Sequence, residues 1–200
     1  ELRGILNRLA GRFSDQTMQK LNYEVDEKGR KAADVARQFL LSEKLIPENA
    51  KRGDGSAGSI TIGSKQFTEQ EVLGEIMAVM IECHSKIKVV RKLHLLGTMI
   101  CFNALKAGDL DLYPEYTGTG LVSILKQKVI SDPAEAYEVV KEAFEKKWGL
   151  IWLEPFGFNN TYTLTMRRKH AKKLGIATIS DLANYVRSNH RPRAGVDKDM

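Results

Sequence analysis

Three short stretches carry the residues best suited to hold a small molecule. Ser64, Gln66 and Thr68 sit just ahead of an apolar-periodic segment. Tyr113, Tyr116, Thr117 and Thr119 combine rings with hydroxyls, and Asn159, Asn160 and Tyr162 follow Phe156 and Phe158. Aromatic faces attract cations, and a quaternary ammonium, bulky and unable to donate a hydrogen bond, suits several rings at once. Asn, Thr and Gln side chains, with the free N–H groups of a helix start, can take a carboxylate or hydroxyl at the other end. Tyr116 falls at the end of a predicted strand, where its ring can face a cleft. Tyr113, three residues earlier, points to the opposite face and is expected to pack. Plain helix capping is the competing use of Ser64, Gln66 and Thr68.

Covalent chemistry finds little support. No HExxH, GxSxG or His-x-His spacing occurs, and His84, His94, His170 and His190 are scattered. Asp109, Asp111 and Glu115 read as solvated or salt-bridged carboxylates. Cys83 and Cys101 fit no zinc or redox spacing; they read as buried free thiols, with a single bridge as the alternative in an oxidising compartment if their Cα atoms lie within about 7 Å. The chain is therefore expected to be no enzyme, with no metal and no cofactor.

The elements that must position these loops follow from periodicity. Residues 1 to 45 are helical, with Ser14 as a cap and a longer helix from about Lys31 to Ser42. Residues 47–59 are small, polar and glycine-rich, a connector without the lysine of a phosphate loop. SITIGS then reads as a strand, and a helix follows with Thr68 as cap and Glu71 in capping-box position. KVVRKLHL is a second strand, MICFNALKAG a helix closed by Gly108, LDLYPEY a third strand and TGTGLVSIL a helix. Asp132-Pro133 starts a long helix, and LIWLEPFGF and TYTLTMRR are two more strands. This alternation defines an α/β protein with a mostly parallel sheet, whose functional loops lie beyond the carboxyl ends of the strands.

Composition narrows the class. The chain has 200 residues, 42% hydrophobic and 28% charged, enough to bury a real core. No apolar run is long enough to cross a membrane, and ELRGILNRLAGRF is an amphipathic pattern without an export signal. The net charge of +6 is spread along the chain, with short clusters only at Arg167-Arg168-Lys169 and Lys172-Lys173. That distribution does not make a nucleic-acid surface.

GSKQFTEQEVLGEIMA, ALKAGDLDLYPEYTGTG, WLEPFGFNNTYTLTMR and TMQKLNYEVD closely resemble the Opu/ProX-type substrate-binding proteins of bacterial osmoprotectant ABC importers. The resemblance implies a type II periplasmic-binding-protein fold that holds glycine betaine, choline or carnitine between two lobes. It further implies an ABC permease as partner and a place outside the cytoplasmic membrane. Tyr116 and Tyr162 match positions of an aromatic cage, Asn160 and Thr119 match contacts to the ligand's polar end, and Gln66 fits a pocket-lining position.

Two departures from the family pattern stand out. TMQKLNYEVD closes the family's C-terminus but lies near the start here, so the chain reads as circularly permuted. Residues 1–46 would then be the family's C-terminal helices of lobe one, 47–59 the join, 60–157 its N-terminal part, and 158–200 the start of lobe two. Lobe one would be nearly complete and lobe two partial, the remainder supplied by a complementary chain or a domain-swapped copy. In that case an engineered association or sensor module is the alternative to a self-sufficient binder.

Overall fold

The computed structural model describes residues 1–161 and 163–188, and divides the chain into two compact units, 1–159 and 160–200. The first unit opens with α1 (Leu2–Leu6) and a 3₁₀ turn, then α2 (Asp15–Asp26) and α3 (Ala32–Ser42). Ser14 caps α2 as the sequence indicates, its Oγ accepting from the Thr17 N–H at 3.1 Å.

Residues 43–58 are not a slack tether. The N–H groups of Gly55 and Ala57 donate to the Lys86 carbonyl, and the Lys88 N–H donates to the Gly58 carbonyl. Gly53 lies so close to this corner that a Cβ would stand 2.4 Å from the Ile87 carbonyl oxygen. Arg52 pairs with Glu82.

Two parallel strands follow, β1 (Ser59–Lys65) and β2 (Lys88–Leu95), joined by α4 (Thr68–His84). β2 has the expected bounds, whereas β1 starts as expected but runs on to Lys65, past the SITIGS stretch. β2 alternates covered and exposed residues, whereas the last four residues of β1 are all buried. A bulge shifts the register between Gly63 and Lys65, and His94 adopts a positive φ of 64° beside it. Twelve of the 17 residues of α4 are buried, Glu75 and Glu82 among them. Arg91 of β2 bonds both carboxylates, at 2.8 and 2.7 Å, which compensates their burial.

Among the described residues the sheet stops at two strands. The expected third strand, 110–116, makes a single bridge between Ile62 and Leu112. The Asp111 carboxylate takes the Thr61 N–H at 2.6 Å in place of a backbone carbonyl, and Pro114 has no N–H to offer. The stretch 150–158 is extended but unladdered. Its Pro155 and Phe156 carbonyls accept from Gly11 and Phe13, and its Glu154 N–H donates to the Asn7 side chain. The expected strand at 161–168 is absent too: the described residues there form no ladder, and α8 begins at Arg168.

Between these segments lie α5 (Thr98–Ala107), closed by left-handed Gly108 as expected, and α6 (Thr117–Thr119), which runs into a π turn over Gly120–Ile124. Then comes α7 (Pro133–Trp148), with Asp132 as its cap. The main core joins α1, α2 and α3 to β1 and α4 through Leu9, Phe13, Phe39, Leu40, Ile62, Ile76 and Met80. The Phe13 ring packs edge-on or tilted against Phe39, Phe156 and Phe158, which anchors the unladdered stretch. A second cluster gathers Phe102, Leu121, Val140 and Phe144 with Trp148 and Trp152.

The second unit contains α8 (Arg168–Leu174) and α9 (Ile179–Arg187). Thr178 and Asp181 form a complete capping box at the start of α9.

Candidate functional site

Parallel β1 and the 110–116 segment both end at the same edge of the first unit, and the site is built there. Burial of the end of β1 carries Lys65 inside, leaving its side chain 5% exposed; that of Glu115 is 6% exposed, and the two pair at 2.5 Å. The Glu115 carboxylate also accepts from the Tyr113 hydroxyl at 3.2 Å and the Tyr116 N–H at 2.8 Å. Burial pushes the Glu115 carboxyl above the usual range, and the Lys65 charge opposes the rise. Burial likewise pushes the Tyr113 phenol up, reinforced by Glu115.

The Lys65 ammonium lies 4.7 Å from the centre of the Tyr116 ring and 5.9 Å from that of Phe67. These rings are nearly parallel, 14° apart with centroids at 6.3 Å. The Tyr116 hydroxyl donates to Glu69 Oε1 at 2.6 Å, and the second Glu69 oxygen accepts from Asn22 at 3.4 Å. Gln70 is fully buried; its Oε1 accepts from the Lys65 N–H, and its Nε2 has no partner among the described residues.

Of the expected site residues, Tyr116 stands in this cluster, and Gln66 and Thr119 lie beside it along the chain. Gln66 stands between Lys65 and Phe67, Tyr116 is stacked on Phe67, and Thr119 closes α6 one turn beyond Tyr116. Asn160 opens the second unit, exposed to solvent, and Tyr162 lies outside the described residues. Tyr113 packs inward as expected, and in addition bonds Glu115.

One expectation is corrected here. Thr68 does not cap α4; Phe67 holds the N-cap position, and the Thr68 hydroxyl donates to Asp26 of α2 at 2.5 Å. The neighbouring helix competes for the hydroxyl and wins it. Lys65, Glu69 and Gln70 were not legible as site residues, because single charged and amide residues look like solvated surface. The one available signal is the loss of alternation at the end of SITIGSK, which brings consecutive residues inside.

Among the described residues, no group of His, Cys, Asp and Glu could hold a metal ion, and no helix is long and apolar enough to cross a membrane. The arrangement offers a held aromatic face, one paired cation and several carboxylates at the end of a parallel sheet.

Two solved structures define the class. The chain is 31% identical to one titled as a glycine betaine/carnitine/choline ABC transporter, with a TM-score of 0.52 over 62% of this chain and 47% of that one. It is 33% identical to apo YehZ from Escherichia coli, with a TM-score of 0.50 over 66% and 48%. The fold is that of the periplasmic-binding-protein-like α/β proteins.

Residues 1–42 and 58–200 match OpuAC, the substrate binding domain of ABC-type glycine betaine transport systems, and the chain belongs to that family. Over 140 residues it is 39% identical to the Helicobacter pylori ergothioneine transport permease/ergothioneine binding protein EgtU, covering 70% of this chain and 24% of EgtU. It is 34% identical to the carnitine transport binding protein OpuCC of Listeria monocytogenes, covering 72% and 46%. The chain spans less than half the length of each of these relatives.

Proposed function

We propose that this chain binds a quaternary ammonium osmoprotectant (glycine betaine, choline or carnitine) for delivery to an ABC permease, outside the cytoplasmic membrane. Tyr116 supplies one wall of an aromatic cage, with Tyr162 as a further ring. Asn160, Thr119 and Gln66 orient the ligand's polar end. The carrying observation is the Tyr116 ring, held at a strand-end edge with a cation already 4.7 Å from its centre. Glu115 balances that cation at 2.5 Å, which leaves the opposite face of the ring able to attract a trimethylammonium. The named ligands of the relatives support the reading, because glycine betaine, carnitine and ergothioneine all join a trimethylammonium to a carboxylate.

The chain order is read as a permutation. The two matched stretches flank residues 43–57, and helices from the first pack in one core with strands from the second. Residues 1–46 and 60–157 form a nearly complete lobe one, joined through 47–59, and lobe two starts at 158. The second reading is a module that binds only with a complementary chain or a swapped copy.

Calorimetric titration with glycine betaine, choline, carnitine and ergothioneine, with light scattering on the same samples, tests both. Tyr116→Ala is expected to weaken binding by about 1–2 kcal/mol, the scale of a desolvated cation–π contact. Unchanged affinity in that variant refutes the cage. Binding confined to associated species supports the second reading.

A further inference from the structure

We propose that Glu69 is a positioning residue that fixes the orientation of the Tyr116 ring, and that Asn22 of α2 holds Glu69 in turn. The value of this for binding rests on the reading of Tyr116 as a ligand-facing ring.

Among the described residues, Tyr116 is held by two hydrogen bonds in addition to its ring contacts with Phe67 and Lys65. Its backbone N–H donates to Glu115 at 2.8 Å, which places the residue but leaves the side-chain torsions open. Phe67 and the Lys65 ammonium flank the ring, and the far end adds the directional bond that selects among the orientations they allow. There the hydroxyl donates to Glu69 Oε1 at 2.6 Å, within the short range of a bond to a charged acceptor. A ring fixed before the ligand arrives loses less freedom on binding than one that swings.

Glu69 is itself held. It occupies the first turn of α4, where the helix dipole favours negative charge. Its second oxygen accepts from Asn22 Nδ2 at 3.4 Å. To make that bond the Asn22 amide leaves its own Oδ1 buried without a partner among the described residues. Burying an unpaired carbonyl is unfavourable, so the orientation marks the Glu69 contact as the one that decides it. Four residues further along α2, Asp26 takes the Thr68 hydroxyl, so α2 grips the first turn of α4 at two places. Residues of the segment preceding the connector thereby control a ring that follows it.

The test uses the full chain, labelled with ¹³C-tyrosine, and reads the Tyr116 ring resonances by NMR without ligand; Tyr116→Phe assigns them by their loss. Glu69→Gln is expected to shift and broaden these resonances, and Asn22→Ala to do so more weakly. Unchanged ring resonances in Glu69→Gln overturn the proposal. Should that variant not fold by circular dichroism, Asn22→Ala decides in the same way. Titration with glycine betaine supplies the second readout. Glu69→Gln should weaken binding roughly tenfold in the parent and add no loss in a Tyr116→Phe background. An equal loss in both backgrounds overturns action through the hydroxyl. Failure of the ligand reading looks different: Tyr116→Ala binds like the parent, while the ring resonances still report on Glu69.

Discussion

Lys65→Met isolates the buried charge pair beneath the site. In the parent, Lys65 and Glu115 are both almost fully buried and face each other at 2.5 Å. Removing the lysine leaves the carboxylate with only the Tyr113 hydroxyl and the Tyr116 N–H. Breaking a buried pair at one end destabilises by about 3–5 kcal/mol. The carboxyl can escape part of this by taking up a proton, and that makes the loss depend on pH. Burial already raises Glu115, and loss of Lys65 removes the strongest of the contacts that oppose the rise. With the folded value above the unfolded one, the unfolded chain releases its proton first. Stability therefore falls as pH climbs from the ordinary carboxylate range to the raised value. Urea unfolding followed by circular dichroism should show a variant only modestly weakened at pH 5 and weakened by the full about 3–5 kcal/mol at pH 8. Lys65→Met with Glu115→Gln should recover most of it. Equal losses at the two pH values, or a double variant as weak as the single, would refute the reasoning.

Other outcomes follow from neighbouring features. Gly53→Ala should destabilise by about 1–3 kcal/mol in the same urea assay, because its Cβ meets the backbone oxygens of Ile87 and Ser85, which cannot swing aside. Gly4→Ala, in α1 with open space around it, should instead be neutral or stabilising by up to about 1 kcal/mol. Burial holds the fully covered Cys101 thiol at about 11, while Cys83 is only partly buried. Iodoacetamide at pH 8, followed by mass spectrometry, should label Cys83 well before Cys101.

The parts of this fold that depend on local chemistry were legible in the residues. Ser14, Gly108 and Asp132-Pro133 mark helix ends by capping geometry alone, and the structure places those ends where the residues indicate. Strands are different, because a strand exists only by its neighbour. LDLYPEY and LIWLEPFGF have strand composition, yet the first offers Thr61 its own Asp111 side chain and carries Pro114, and the second pairs with loop residues and Asn7. The site divides in the same way. The aromatic and amide residues announce themselves by type, whereas Lys65, Glu69 and Gln70 matter through where α2 and β1 bring them. Thr68 shows the limit: its spacing fits a cap, and a partner 42 residues away takes its hydroxyl.

The burial of α4 has a consequence for time rather than for structure. Amides in the middle of this helix are covered on every side, by α1, α2 and α3 and by both strands. They can exchange hydrogen with water only when the first unit opens as a whole, whereas short α6 and the connector can open by themselves. The slowest-exchanging amides of α4 therefore serve as a clock for global opening. A solute that binds the folded unit must slow that clock by a factor of one plus the ratio of its free concentration to Kd, wherever it sits. Engagement of a ligand can thus be timed in the deepest helix of the protein, far from any group that touches it.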